Sequence, residues 1–143
     1  MARFHTTIDS TRSPEAAFAY LADFAHAAQW DPGVVEARRV DGGALGAGSR
    51  FALVASFAGR RVPLDYVITE VDAPRRVVLR AENRLFRSVD TIAVAPRENG
   101  SRVTYDARLT PKGALWLLAW PLAVTFHRVG ERARRGLARS LGS

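Results

Sequence analysis

The feature that most constrains this chain is the stretch from Val34 to Leu109, where apolar residues recur every second position and turn signals punctuate the runs. Phe51, Leu53, Ala55 and Phe57 alternate, then Val62, Leu64, Tyr66 and Ile68, then Val77, Leu79 and Ala81. Asp90, Ile92 and Val94 continue the pattern, followed by Val103, Tyr105, Ala107 and Leu109. A period of two over runs of this length predicts strands with one apolar face. The breaks are short: Ala58-Gly59-Arg60, Asp72-Ala73-Pro74, Asn83-Arg84 and Glu98-Asn99-Gly100. Parallel strands need a crossover of a dozen or more residues, so strands joined this tightly are antiparallel neighbours. With residues 34–41 as the leading strand, the stretch predicts a meander of about six strands.

Residues 3–9, RFHTTID, add a first strand and bring the total to about seven. Ser13-Pro14-Glu15 then opens a helix: a side-chain oxygen for free N–H groups, a ring suited to the first helical position, and a carboxylate at the positive end of the dipole. Ala17, Phe18, Tyr20, Leu21 and Phe24 form its stripe, and a second short helical turn runs to Gln29. Pro32-Gly33 forbids continuation. After Pro111-Lys112-Gly113 a long helix runs to about Leu141, with Leu115, Leu118, Leu122, Phe126, Val129, Ala133 and Leu137 as a continuous stripe and Pro121 as a kink. A sheet with one apolar face needs a cover, and this last helix is the element long enough to supply it. The expectation is a single α+β domain over residues 1–143, with a pocket in the seam between curved sheet and helix.

Composition removes several function classes. The chain has no cysteine, which excludes disulfides, thiolate metal sites and a cysteine nucleophile. His5, His26 and His127 share no ligand spacing, so neither a metal nor a cofactor is expected. The glycine-rich loop Gly42–Gly48 lacks the following helix and the Lys-Ser/Thr of a phosphate-binding loop. The net charge of +7 is almost entirely arginine, scattered in pairs such as Arg38-Arg39 and Arg134-Arg135 and not interleaved with aromatics. That pattern fits solvated faces and strand ends, so no nucleic-acid partner is expected. The N-terminus lacks a signal-peptide core, and the nearly apolar run Ala114–Phe126 is too short to span a bilayer, so a cytoplasmic protein is the expectation.

In order, the segments "TTIDSTRSPEAAFAYLADF", "QWDPGV", "LGAGSRF", "YVITEVDAPRRVVL" and "GSRVTYDARLTPKG", followed by the C-terminal helix, resemble the SRPBCC superfamily. That group holds START domains, Bet v allergens and bacterial polyketide cyclase/dehydrase-like proteins. The resemblance implies the helix-grip fold, a curved antiparallel sheet wrapped around a long C-terminal helix with two short helices after the first strand. In such a fold the short helices form a V supporting one end of the long helix. Trp30, just before Pro32-Gly33, is then expected either to plug that end, packing against the sheet and the helix beginning at Gly113, or to turn an edge of its ring to a cavity as part of the pocket wall.

Within the strand pattern, Phe51, Leu53, Tyr66 and Tyr105 fall on the inner face and are expected to line the pocket with residues of the long helix. Asp90 shares that face with Ile92 and Val94. A carboxylate there is costly unless paired or solvated, so Asp90 is the leading polar candidate, with Tyr66 and Tyr105 as weaker partners in any catalysis. Arg80 and Arg87, near strand ends, are candidate partners for Asp90. Trp116 and Trp120, four apart on the long helix, either line the far side of the pocket or stand exposed. The first expectation is binding or transport of a small hydrophobic ligand, lipid or polyketide-like. The alternatives are a polyketide cyclase/dehydratase-type enzyme, and a module that contacts a partner protein or, weakly, a membrane surface through its arginine-bearing C-terminal helix. Monomer and homodimer are both compatible with the sequence.

Overall fold

A computed structural model of the chain describes residues 2–57, 59–83, 86–112 and 131–141. Seven strands form one curled antiparallel sheet: β1 Ala2–Ser10, β2 Val34–Arg39, β3 Arg50–Phe57, β4 Arg60–Asp72, β5 Arg76–Glu82, β6 Phe86–Arg97 and β7 Gly100–Pro111. Their spatial order is β1-β7-β6-β5-β4-β3-β2. The run from β2 to β7 is thus the expected meander. The first strand joins it at the far edge, pairing with β7 from Ala2 opposite Leu109 to Ser10 opposite Ser101.

Between β1 and β2 the chain must cross the concave face, and the helices do this. In α1, Pro14–Ala22, Ser13 caps the first turn by accepting from the Ala16 N–H at 3.1 Å, and Pro14 fills the first helical position. Ala17, Phe18, Leu21 and Ala22 are its buried face. Asp23 ends α1 and at once accepts from the Ala25 N–H at 3.1 Å, starting a 3₁₀ turn over Phe24–His26 that leads into α2, Ala27–Trp30. The Asp31 carboxylate then accepts from the Gly33 N–H at 2.9 Å, which bends the chain around Pro32 into β2.

The inner face is the one the alternation predicted. Phe51, Leu53, Tyr66, Ile68, Val77, Leu79, Asp90, Ile92, Val103 and Tyr105 are all buried. The register is unbroken along β3–β4, β5–β6 and β6–β7, which holds these residues on one side, while bulges interrupt β2 between Val34 and Glu36 and β4 between Ile68 and Glu70.

Residues 131–140 form α3. Ala133, Leu137 and Leu141 belong to the same core as the sheet and α1. The end of α3 is fastened to the start of the chain: the Ser10 hydroxyl donates to the Leu141 carbonyl at 3.0 Å, and the Arg12 guanidinium to the Ser140 carbonyl at 2.9 Å. Gly136 abuts the Trp30 backbone so closely that a Cβ there would overlap the Trp30 carbonyl. The expected junction of Trp30 with a helix beginning at Gly113 lies outside the described residues. The contact that is described falls on α3. Among the described residues, no helix is long and apolar enough to cross a membrane.

Candidate functional site

A cavity of about 100 Å³ lies between the 3₁₀ turn and α2 on one side and the inner faces of β3, β4, β6 and β7 on the other. Phe24, Ala27 and Trp30 border it from the helices, and Leu53, Leu64, Phe86, Ala107 and Leu109 from the sheet. The wall is mostly apolar, with polar positions at Asp31, Ser56, Tyr66, Ser88, Asp90 and Tyr105.

Four of these form one hydrogen-bonded chain. Tyr105 on β7 donates its hydroxyl to Asp90 Oδ2 at 2.8 Å. Ser88 donates to Asp90 Oδ1 at 3.0 Å, and Tyr66 on β4 donates to the Ser88 oxygen at 3.2 Å. The sheet positions them by simple arithmetic. Ser88 and Asp90 are two apart on β6 and share its inner face, while Ala107 stands opposite Asp90 and Tyr105 opposite Ile92. Burial pushes the Asp90 carboxyl up to about 6, although the Tyr105 and Ser88 donors pull it down. Burial, and then the Asp90 charge, push both phenols well above their ordinary value, so they stay protonated as donors.

A second acid faces the same space. Asp31 is partly exposed as a residue, yet desolvation of its carboxyl outweighs the Gly33 N–H and raises it to about 6. The Asp31 charge adds to the rise of Asp90. Trp30 completes this end. It is 1% exposed, its ring meets Tyr105 edge-on at 5.6 Å and Phe24 at 6.0 Å, and its indole N–H has no acceptor among the described residues. Trp30 is therefore a structural plug and a cavity wall at once.

Of the residues expected from sequence, Trp30, Leu53, Tyr66, Asp90 and Tyr105 all border the cavity. Phe51 does not. It is fully buried in solid core, with its ring 6.4 Å from that of Phe24. Trp116, Trp120 and His127 lie outside the described residues, and so does any membrane or partner contact built on them. The pairing of Asp90 with Arg80 or Arg87 is corrected by register. Arg80 stands opposite Val89 on the outer face, and both arginines bond Glu82 instead, at 2.9 and 3.2 Å. Among the described residues, no group of three histidine or acidic side chains is placed to hold a metal.

Sequence reasoning missed Asp31 and Ser88. Ser88 carried a readable signal, since it is two residues before Asp90 on the same strand. Asp31 did not. It sits in a turn whose Pro-Gly reads as a chain break, and its second role depends on where that turn lands.

An acid that titrates near neutrality, held by a phenol that stays protonated, can give or take a proton or orient a polar ligand. Solved structures with the same fold are known. The Zhui aromatase/cyclase from Streptomyces sp. R1128 is 11% identical, with 98% of this chain and 93% of that chain covered and a TM-score of 0.81. A Thermus thermophilus protein is 20% identical over 98% of this chain and 95% of its own, with a TM-score of 0.78. A START superfamily protein from Mycobacterium smegmatis is 12% identical over 99% and 98%, with a TM-score of 0.76. No curated protein matches the chain in sequence. The sequence profile of one family, described as polyketide cyclase / dehydrase and lipid transport, matches residues 1–141, and this chain belongs to that family.

Proposed function

We propose that this domain binds a small, mostly apolar molecule in the cavity and receives that molecule's polar group at Asp90 and Tyr105. One observation carries this reading: a buried carboxyl, held by hydroxyl donors and paired with no cation among the described residues, stands on a wall that is otherwise apolar. In a solid core a desolvated carboxyl is costly even when hydroxyls donate to it. On a cavity wall it is an anchor for orientation, the usual arrangement of a small-molecule site. The volume of about 100 Å³ suits a ligand of roughly one ring, on the scale of the ~150 Å³ void that accepts benzene.

Titration with toluene or phenol, followed by NMR of the protein, should perturb the amides around Leu53, Asp90, Tyr105 and Ala107. Ala107→Phe fills the space opposite Asp90 and should abolish the response. Saturating probe that leaves those amides unmoved would sink the reading. Native mass spectrometry of protein purified from its own host would name the chemical class of any retained ligand.

The 2.8 Å contact between Tyr105 and Asp90 favours a second reading, an enzyme of the polyketide cyclase/dehydratase type. Ring closure and loss of water need a proton donor and an acceptor held at fixed positions around the substrate. The fold is shared with an aromatase/cyclase. Under this reading Asp90→Asn loses turnover of a polyketide-like substrate while binding stays within about tenfold. Turnover that survives the change rejects it.

A further inference from the structure

Two carboxyls border the cavity from different elements, Asp31 from the end of α2 and Asp90 from β6. No arginine, lysine or histidine borders it among the described residues. The described part of the lining is thus acidic in a chain that carries 21 Lys and Arg against 14 Asp and Glu. Building on the binding role proposed above, we propose that this cavity favours ligands bearing a hydroxyl, a phenol or an alcohol, and rejects carboxylates of the same shape.

The reasons are electrostatic and stoichiometric. A carboxylate entering this space gives up its water and meets two like charges in a low-dielectric wall. A hydroxyl gives up less, and it donates to either aspartate. The same two charges attract an ammonium group, an attraction its strong hydration shell offsets, so the discrimination is between a hydroxyl and a carboxylate.

The groups that face Asp90 are Tyr105 on β7, Ser88 on its own strand, Tyr66 on β4 and Asp31 at the helical end; Asp106 adds repulsion from β7. Asp31 is held by the Gly33 N–H and faces Asp90 and the two phenols. Both carboxyls are raised to about 6 by burial. The repulsion is therefore full in mildly alkaline solution and fades in mild acid.

Toluene, phenol and benzoate share one ring and differ in the group that matters. Titrated against the intact protein near pH 8 and followed by NMR, phenol should bind about tenfold or more tighter than benzoate, with toluene between them. Moving to about pH 5.5, where a free carboxylic acid of reference pKa ~4.3 is still mostly ionised, should narrow the phenol–benzoate gap by at least about threefold. Asp31→Asn should narrow it similarly near pH 8. Should that variant fail to fold, the wild-type pH comparison decides alone, and a gap unchanged between the two pH values overturns the proposal. Benzoate binding as tightly as phenol near pH 8 overturns charge selection and leaves the binding role standing. If none of the three perturbs the cavity residues, both fall together.

Discussion

The backbone carbonyl of Trp30 occupies the space that any side chain at Gly136 would need. Replacing glycine by alanine inside a helix is ordinarily stabilising, by about 1 kcal/mol. Here the clash is with backbone, which cannot swing away. Gly136→Ala should destabilise the protein by about 1–3 kcal/mol, the range for overpacked sites. Gly46→Ala, at a glycine with open space around it, is the control and should stay within about 0.5 kcal/mol. Urea melts of the two variants decide the matter, and equal midpoints would mean that α3 does not press on Trp30.

Trp30→Ala removes a ring that is 1% exposed and touches both Phe24 and Tyr105. A loss of about 3–5 kcal/mol is expected, as for other buried aromatics cut to alanine. The thermal midpoint is the readout, and an unchanged midpoint would contradict the role of Trp30 as the plug beneath α3.

Stability should fall as pH rises from about 4 to about 6.5. Asp31 and Asp90 titrate at 3.8 when unfolded and near 6 when folded, so the native state holds more protons in that window. A gap of that width makes each carboxyl worth up to about 3 kcal/mol, less for Asp31 because that residue is partly exposed. Above the folded value the loss is complete and the curve is flat. Glu82 acts in the opposite sense. Lys112, Arg80 and Arg87 hold it down at about 2, so its contribution is lost only as pH drops below its free value of 4.5. Chemical denaturation at several pH values should show the decline in wild type and a shallower one in Asp90→Asn. Wild-type protein equally stable at both ends of the window would be incompatible with a desolvated Asp90.

Tyr105→Phe takes the donor from Asp90 Oδ2. With that donor gone, the Asp90 carboxyl should titrate still higher. Tyr66→Phe should move it less, since Tyr66 bonds Ser88 and reaches the carboxyl through it. Carboxyl-detected NMR titration separates the two variants, and equal shifts would contradict the order of this chain of hydrogen bonds.

Most of the fold was legible because its determinants are local. Alternation places Tyr66, Asp90, Ile92 and Tyr105 on one face, short turns force antiparallel pairing, and Ser13-Pro14 starts α1. Those same rules put Asp90 and both tyrosines inward, which is half of the site. Ser88 follows from the same alternation, but the remainder depends on where distant pieces meet. Nothing near Gly136 reveals that Trp30 will lie against it, and nothing in Asp31-Pro32-Gly33 reveals that the turn will face β6. The pairing of Arg80 with Asp90 failed for a related reason. Proximity along a hairpin was visible, but the two side chains leave the sheet on opposite faces, and Glu82 on the outer side claims the arginine.

Asp90 was stripped of water when the chain folded, and Tyr105 and Ser88 fix its orientation before any ligand arrives. A molecule that uses this carboxyl need not displace a hydration shell from it or freeze its rotation. Preorganisation of this kind shifts free energy from folding to recognition. Under the binding role proposed above, the desolvation of Asp90 is a cost met on folding that recognition need not meet again. On that proposal, folding and recognition place opposite demands on this one residue.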